Sequence, residues 1–292
     1  GRGPDPPRGA APDTQLPLAA AAGGMGQCLV RAHLSARRRP AQFGRHLVVA
    51  AGEHRQRALR RRYDAARDRR FQIGPAPRAG GGSAGVGGAV TVVVTTNDIE
   101  AYIGQSAVVS TNGSIAISAE EDLVLVIIAG SGAGGGSAGV GASVAVSTVV
   151  NTVKAYIGNN AQVTALGNGD AVSFYTGAGG KEKSDGRGVL IGAYSTEDVI
   201  LTVVSGAGGG SAGVAASMGV SVIKNTTQAY IGDGSKVNIN NEGANAAQEV
   251  RVVAADETVM VDIVGGAAGG GAAGVGVSSD VVVLVKTTQA YI

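Results

Sequence analysis

Residues 134–157 read GGGSAGVGASVAVSTVVNTVKAYI, and both ends of this stretch recur four times along the chain. The glycine phrase begins at Gly81, Gly134, Gly208 and Gly269. AYI follows each copy at one distance, which is 18 residues from Ser83 to Ala101 and the same in the three later copies. A fixed step of this kind indicates a repeat protein, in which one supersecondary unit stacks on copies of itself.

A second apolar pattern has an equally fixed position. The pattern is Ile115, Ile117 and Ala119; Ile115 stands 22 residues before Ser137 of the next glycine phrase, and the same step recurs in two later units. Successive AYI tyrosines are nevertheless 54, 74 and 61 residues apart, and the difference falls in polar segments such as GGKEKSDGRG at 179–188. We therefore expect loops that leave the stack at one corner, and we expect any binding to come from such loops or from the repeated face.

The stretch after the first, second and last glycine phrases alternates with a period of two, which predicts a strand rather than a helix. The apolar positions are Ala138, Val140, Ala142, Val144 and Val146. We expect these apolar side chains, with their β-branched valines, to face inward. The opposite face is mostly Gly, Ser and Ala, and the sequence leaves open whether it is exposed or lets another layer approach closely.

Together these patterns predict an all-β fold, a right-handed parallel β-helix with about three coils in each unit. A β-sandwich and an open, silk-like glycine-rich chain are the alternatives. The predicted repeat domain spans residues 79–292 and divides into units at about 81–133, 134–207, 208–268 and 269–292, the last of them truncated.

The first part of the chain has a different composition. Residues 1–80 hold 16 arginines, no lysine and five acidic residues, a net charge of +11, whereas residues 81–292 carry nine net negative charges. Such a basic segment could contact nucleic acid phosphates, which is the alternative function. We favour a disordered or irregular, partly helical segment at 1–78 that arises from a shifted reading frame.

One tyrosine holds the same position in every unit, at Tyr102, Tyr156, Tyr230 and Tyr291. These rings could form an exposed row for glycan or surface contact, because a ring offers an apolar face with a polar tip. We favour the simpler interpretation, in which each ring covers a corner of a coil.

Acidic residues also recur, and they give six calcium candidates: Glu121, Asp122, Glu197, Asp198, Asp256 and Glu257. Calcium takes six to eight oxygen ligands, which stacked carboxylates could supply. The calcium-binding G-G-x-G-x-D repeat is absent from the sequence, so we favour a solvated turn and predict no metal.

The sequence predicts neither an enzyme nor a bound cofactor. The repeat region has no histidine or cysteine to act as nucleophile or base, and repetition argues against one unique catalytic site. The longest apolar run, LVLVIIAG from Leu123, is shorter than the roughly 18 residues of a membrane-spanning helix, so no span is predicted.

Three phrases resemble a known family: GGGSAGVGASVAV at 134–146, NTVKAYIGNNAQVTA at 151–165 and SVIKNTTQAYIGDGSKV at 221–237. They are similar to repeats of leukotoxin-type filamentous adhesins, bacterial exoproteins of the filamentous haemagglutinin kind. The resemblance covers residues 80–292. It implies a β-helical shaft that is secreted or displayed on the cell surface, a binding role toward a host or surface ligand, and no catalytic residues.

We therefore expect an extracellular or surface-displayed piece of a larger secreted protein, whose work is extension and display. Stacked repeats leave unpaired strand edges at their ends. The sequence thus also predicts self-association through the exposed ends of the stack.

Overall fold

The computed structural model describes residues 47–49, 78–177 and 182–292, and all regular structure in these residues is β. The predictions for residues 1–78 therefore lie outside the described residues, except at Leu47–Val49 and at Arg78. No helix in the described ranges is long and apolar enough to cross a membrane.

Two sheets of long strands make up most of the molecule. Sheet A contains β1 (Leu47–Val49), β2 (Arg78–Gly81), β5 (Ile115–Gly135), β10 (Gly188–Gly209) and β13 (Glu249–Gly270). Sheet B contains β3 (Ala84–Ile103), β6 (Ala138–Ile157), β11 (Ala212–Ile231) and β14 (Ala273–Tyr291).

Two smaller sheets complete the fold. Sheet C contains β4 (Val108–Thr111), β7 (Gln162–Ala165) and β12 (Lys236–Val237), and a hairpin pairs β8 (Val172–Tyr175) with β9 (Lys183–Gly186). Strands in sheets A, B and C pair in parallel, apart from β1, which runs antiparallel to β5. This all-β, parallel arrangement is compatible with a β-solenoid.

Each repeat unit forms one layer of the stack. Ala138 pairs with Ala84 of the preceding unit and with Ala212 of the following one, so every strand lies beside its equivalent. The prediction of about three coils per unit is therefore wrong. Its physical cause is strand length: β6 continues through Gly139 and Gly141 for 20 residues, whereas strands in globular proteins are usually 3–10 residues long.

The glycine phrase forms the tight turn between sheets A and B. Residues 136 and 137 join β5 to β6, and their backbone amides donate to the carbonyl oxygens of Gly82 and Ser83 in the layer below, at 3.0 and 2.8 Å. The turns of successive layers thus stack by hydrogen bonding, as the strands do. We call this side of the molecule the glycine edge.

The valines face outward and the small residues face inward, which reverses the expected orientation. Gly139, Ser143 and Ala145 are buried between the sheets, whereas Val140 is 42% exposed. A Cβ added to Gly139 would overlap the backbone carbonyl of Gly208 in the opposite sheet. Only glycine at such positions lets the two backbones come this close, so the small-residue face is the face that another layer approaches.

The space between sheets A and B changes along the strands. Beyond the glycine edge lies a serine pair, with Ser131 and Ser143 oxygens 2.9 Å apart, and then an apolar cluster that includes Leu125 and Val149. A second apolar cluster fills the far side, where sheet C joins sheets A and B. The AYI phrase lies there and places Ala155 and Ile157 in that cluster, both fully buried.

The polar insert of the second unit does not simply leave the stack. Its described residues return as β9, which pairs with β8, and Phe174 of this hairpin packs with Leu190 and Tyr194 on the outer surface of sheet A. A Cβ at Gly192 would stand 2.9 Å from the Phe174 ring, so the glycine makes room for the hairpin. Residues 178–181, which lie between β8 and β9 in the sequence, are outside the described ranges.

Candidate functional site

The four predicted tyrosines form one continuous stack, here called the tyrosine row (Tyr102, Tyr156, Tyr230 and Tyr291). Successive ring centroids are 5.0, 4.9 and 5.1 Å apart, and the planes differ by at most 8°. The register of sheet B produces this geometry, because parallel in-register strands bring equivalent side chains to about the strand spacing.

Stacking decides which part of each ring is accessible. Tyr156 and Tyr230 have a neighbouring ring against each face, so they present their edges and hydroxyl groups rather than the apolar faces that a sugar would need. Burial, aided by the charge of Glu100, raises the pKa of the Tyr156 hydroxyl above its ordinary value. The row therefore presents a ridge of ring edges and hydroxyl groups.

We expect Tyr156→Ala to destabilise the protein by about 2–3 kcal/mol, since two ring contacts disappear and each is worth about 0.5–1.5 kcal/mol beyond its buried area. Tyr291→Ala removes one of the described ring contacts and should cost about 1 kcal/mol. Urea denaturation followed by circular dichroism measures both. Equal losses would show that stacking contributes nothing beyond burial.

The pleat of sheet A places three of the six calcium candidates on its inner face and three on its outer face. They lie within β5, β10 and β13, so the prediction of a solvated turn is wrong. Glu121 and Glu197 are buried between the sheets, and the Asp256 side chain is 1% exposed. The other three, Asp122, Asp198 and Glu257, alternate with them on the outer face.

An asparagine row faces the inner carboxylates from sheet B. Asn97, Asn151 and Asn225 pair in register, and Lys286 takes the same position in β14. Asn97 Nδ2 donates to Glu121 Oε1 at 2.5 Å, and Asn151 Nδ2 donates to Glu197 Oε1 at 3.2 Å. We call these residues, with the inner carboxylates, Ser195 and Thr258, the polar belt.

The two glutamates of the belt share Ser195 as a partner. Its hydroxyl lies 2.9 Å from Glu121 Oε2 and also contacts Glu197 Oε1. Burial, reinforced by the charge of Glu197, raises the pKa of Glu121 to about 8. Glu121 therefore keeps its proton at neutral pH, and two adjacent negative charges are avoided in the interior.

Asp256, the third inner carboxylate, contacts a cation. Lys286 Nζ lies 2.5 Å from Asp256 Oδ1 and 2.8 Å from the Thr258 hydroxyl, which itself donates to Glu197 Oε2 at 2.8 Å. Asn225 Nδ2 adds a contact of 2.9 Å to Asp256 Oδ2. The belt thus runs continuously from one layer to the next through donors of the protein itself.

Calcium would need these oxygens to converge on one point. Within residues 78–177 and 182–292, no group of three or more Asp, Glu, His or Cys side chains could hold a metal ion. The amide nitrogens of the asparagine row donate to the inner carboxylates instead, and Lys286 neutralises one of them. The arrangement is that of an internal hydrogen-bond network.

Sequence reasoning missed the asparagine row and the hairpin. The row was detectable, because Asn97, Asn151 and Asn225 each stand four residues before the alanine of AYI. The sequence indicated the hairpin less clearly.

The hairpin brings side chains that occur in one unit only onto sheet A. Its Tyr175 ring stacks on Tyr194 at 5.1 Å, and Lys183 Nζ lies 4.2 Å from the centre of the Tyr175 ring.

Comparisons with protein-family models, with curated proteins and with solved structures found no match for this chain.

Proposed function

We propose that the chain is a structural piece of a secreted or surface-displayed bacterial adhesin of the filamentous haemagglutinin kind, folded as a right-handed parallel β-helix. The observation that best supports this proposal is the strand register. Every long strand pairs along its length with the equivalent strand of the next unit. A stack built in this way displays side chains and loops at fixed intervals.

The use of the polar residues supports display rather than catalysis. Glu121, Glu197 and Asp256 each contact donors of the protein and lie between the sheets, where a substrate would have to separate the strands to reach them. Such groups stabilise and align the layers. The proposed function therefore needs no catalytic residue and no cofactor.

The hairpin is the proposed binding element. It interrupts an otherwise repeated surface, is anchored by Phe174, and places Lys183 beside Tyr175 and within 3.8 Å of Glu120. Function concentrates on loops held by a rigid scaffold. A cation beside an aromatic ring gives this element both charge and apolar surface for a ligand.

An adhesion assay tests this proposal. Beads coated with the whole chain should attach to host-cell or glycan-coated surfaces. Replacing residues 176–182 by Asn-Gly together with Lys183→Ala, which removes the cation beside Tyr175, should reduce attachment by about tenfold or more. A two-residue turn of this kind closes a hairpin, and Tyr175 already pairs with Lys183, so β8 and β9 are retained.

Tyr291→Phe is the matched control, because it alters an exposed hydroxyl and should leave attachment unchanged. If the variant with the shortened hairpin attaches as well as the wild type, the hairpin is not the binding element. Polysaccharide turnover abolished by Asp198→Asn would replace the proposal with an enzyme.

We also propose that the ends of the stack associate. In the described structure β3 pairs in sheet B only with β6, and β14 only with β11, so each has one unpaired edge. Joined end to end, the edges would continue the parallel register and the tyrosine row. This association adds copies without limit, since a head-to-tail contact does not close.

A further inference from the structure

The outer surface of sheet B beside the glycine edge is apolar over six rows of four side chains, here called the valine face. Its rows, in register, are Ala84, Ala138, Ala212 and Ala273; Val86, Val140, Val214 and Val275; Gly88, Ala142, Ala216 and Val277; Val90, Val144, Met218 and Ser279; Val92, Val146, Val220 and Val281; and Val94, Thr148, Val222 and Val283.

No charged side chain occurs at these positions. Thr148 and Ser279 are the only polar side chains among them, and the face is open to solvent, since Val90 is 76% exposed and Val214 is 42% exposed. Charge returns beyond the last row, at Lys154 and Lys224. The apolar surface is therefore continuous and has a sharp boundary.

The area of the valine face is that of a specific interface. Four strands about 4.8 Å apart and about 12 residues of about 3.3 Å each give about 760 Å². Contiguous apolar patches on monomers rarely exceed a few hundred Å². A stable interface buries about 800 Å² from each partner, so this face alone is large enough.

We propose that the valine face binds the valine face of a second copy of this chain, so that two stacks pack sheet on sheet about a two-fold axis. An uncharged face can meet itself without like-charge repulsion. The shape of the face also suits self-packing, because the small residues of the first row, and of the third row apart from Val277, lie beside ridges of valine and can receive the ridges of the partner.

One other surface and one other occupant of the valine face fit the observations less well. The outer face of sheet A is interrupted by Asp198 and Thr202, and the hairpin covers part of it. Insertion of the valine face into lipid would bring the free edges of β3 and β14 into hydrocarbon, where unpaired backbone groups are costly. A second protein copy leaves those edges in water.

Sedimentation equilibrium of the whole chain tests the inference. From about 1 to about 100 µM the mass should rise from one chain to two, the step that the two-fold contact produces, and any growth beyond two chains would come from the ends of the stack. Val140→Lys combined with Val214→Lys should raise the dissociation constant at least tenfold, since lysines would face lysines across the axis. Both positions are already exposed, so folding is retained, which circular dichroism verifies.

Val126→Lys combined with Ile200→Lys is the matched control. The two residues pair in register in adjacent layers. The substitutions therefore place the same two lysines on the outer face of sheet A, and dimerisation should persist. The inference is overturned if the wild-type chain stays monomeric, if the lysine pair on the valine face leaves the dimer intact, or if both pairs weaken it equally.

Two further outcomes would assign the association to another surface. Mass that keeps rising beyond two chains, unaffected by the valine-face lysines, would assign it to the ends of the stack. Flotation with neutral phosphatidylcholine vesicles, lost in the valine-face variant, would assign the face to lipid. The adhesion assay uses hairpin variants, so failure there and failure here are distinguishable.

Discussion

Gly139→Ala should lower the stability of the protein by about 3 kcal/mol, the upper part of the range for forcing extra volume into a packed interior. The added methyl group would overlap the backbone carbonyl of Gly208. Backbone cannot rotate away as a long side chain can. Sheets A and B must therefore separate at the glycine edge, and contacts in the adjacent serine and apolar layers weaken with them.

Gly134→Ala is the matched control, since a Cβ there meets no atom within 4 Å. That substitution should be neutral or stabilise slightly, because alanine restricts the unfolded chain. Urea denaturation of both variants, followed by far-ultraviolet circular dichroism, gives the comparison. Equal midpoints would mean that the close approach of the sheets does not exist in solution.

Glu121→Gln should remove most of the decline in stability that the wild-type protein shows between about pH 5 and pH 9. The pKa of Glu121 rises from about 4.5 in the unfolded chain to about 8 in the folded protein, because burial and the charge of Glu197 oppose ionisation. The folded state thus binds the proton more tightly. Its stabilisation is fully present below about pH 4.5 and is lost as the pH rises through 8.

The effect should be large for one group, because each tenfold change in proton affinity between the folded and unfolded states corresponds to about 1.4 kcal/mol. Glutamine cannot ionise, and its carbonyl oxygen can still accept from Asn97 Nδ2 while its amide nitrogen faces the Ser195 hydroxyl, whose oxygen can accept. Thermal melts at several pH values measure the difference. Glu120→Gln, on the outward side of the same strand, should keep the wild-type pH dependence. Parallel curves for wild type and Glu121→Gln would count against a protonated Glu121.

The sequence could predict the positions of the strands and the alignment of the repeats. Period-two alternation located β3, β6 and β14, and the equal steps to AYI implied that Tyr102, Tyr156, Tyr230 and Tyr291 would align. Both inferences depend on local pattern and on counting. The alternation within a strand and the number of residues between motifs stay the same when one unit stacks on the next.

The direction of the two faces was not predictable in the same way. Alternation shows that Val140 and Gly139 point in opposite directions, but it does not show which one points inward. That choice depends on the opposite sheet, whose glycines at 206 and 208 allow direct backbone approach. A valine interior would need a wider separation, which the two-residue turn at 136 and 137 does not provide.

The pairing of the polar belt was hidden for a related reason. Acidic residues in different units looked aligned, yet the register places Glu121 beside Ser195 and Leu123 beside Glu197. A displacement of two residues keeps both glutamates on the inner face while it staggers their carboxylates. Sequence alone identified the residue types but could not find the asparagines as their partners in another sheet.

One layer per unit has a consequence for how such a gene can change. A duplicated or deleted unit would add or remove one member of the tyrosine row, one position of the asparagine row and one strand of the valine face. The layers on either side of the change would still pack against each other, since Tyr156 stacks on Tyr102 and on Tyr230 in nearly identical geometry. Copy number can therefore vary by unequal recombination while the surface pattern stays constant, and the area of that surface grows with each copy gained.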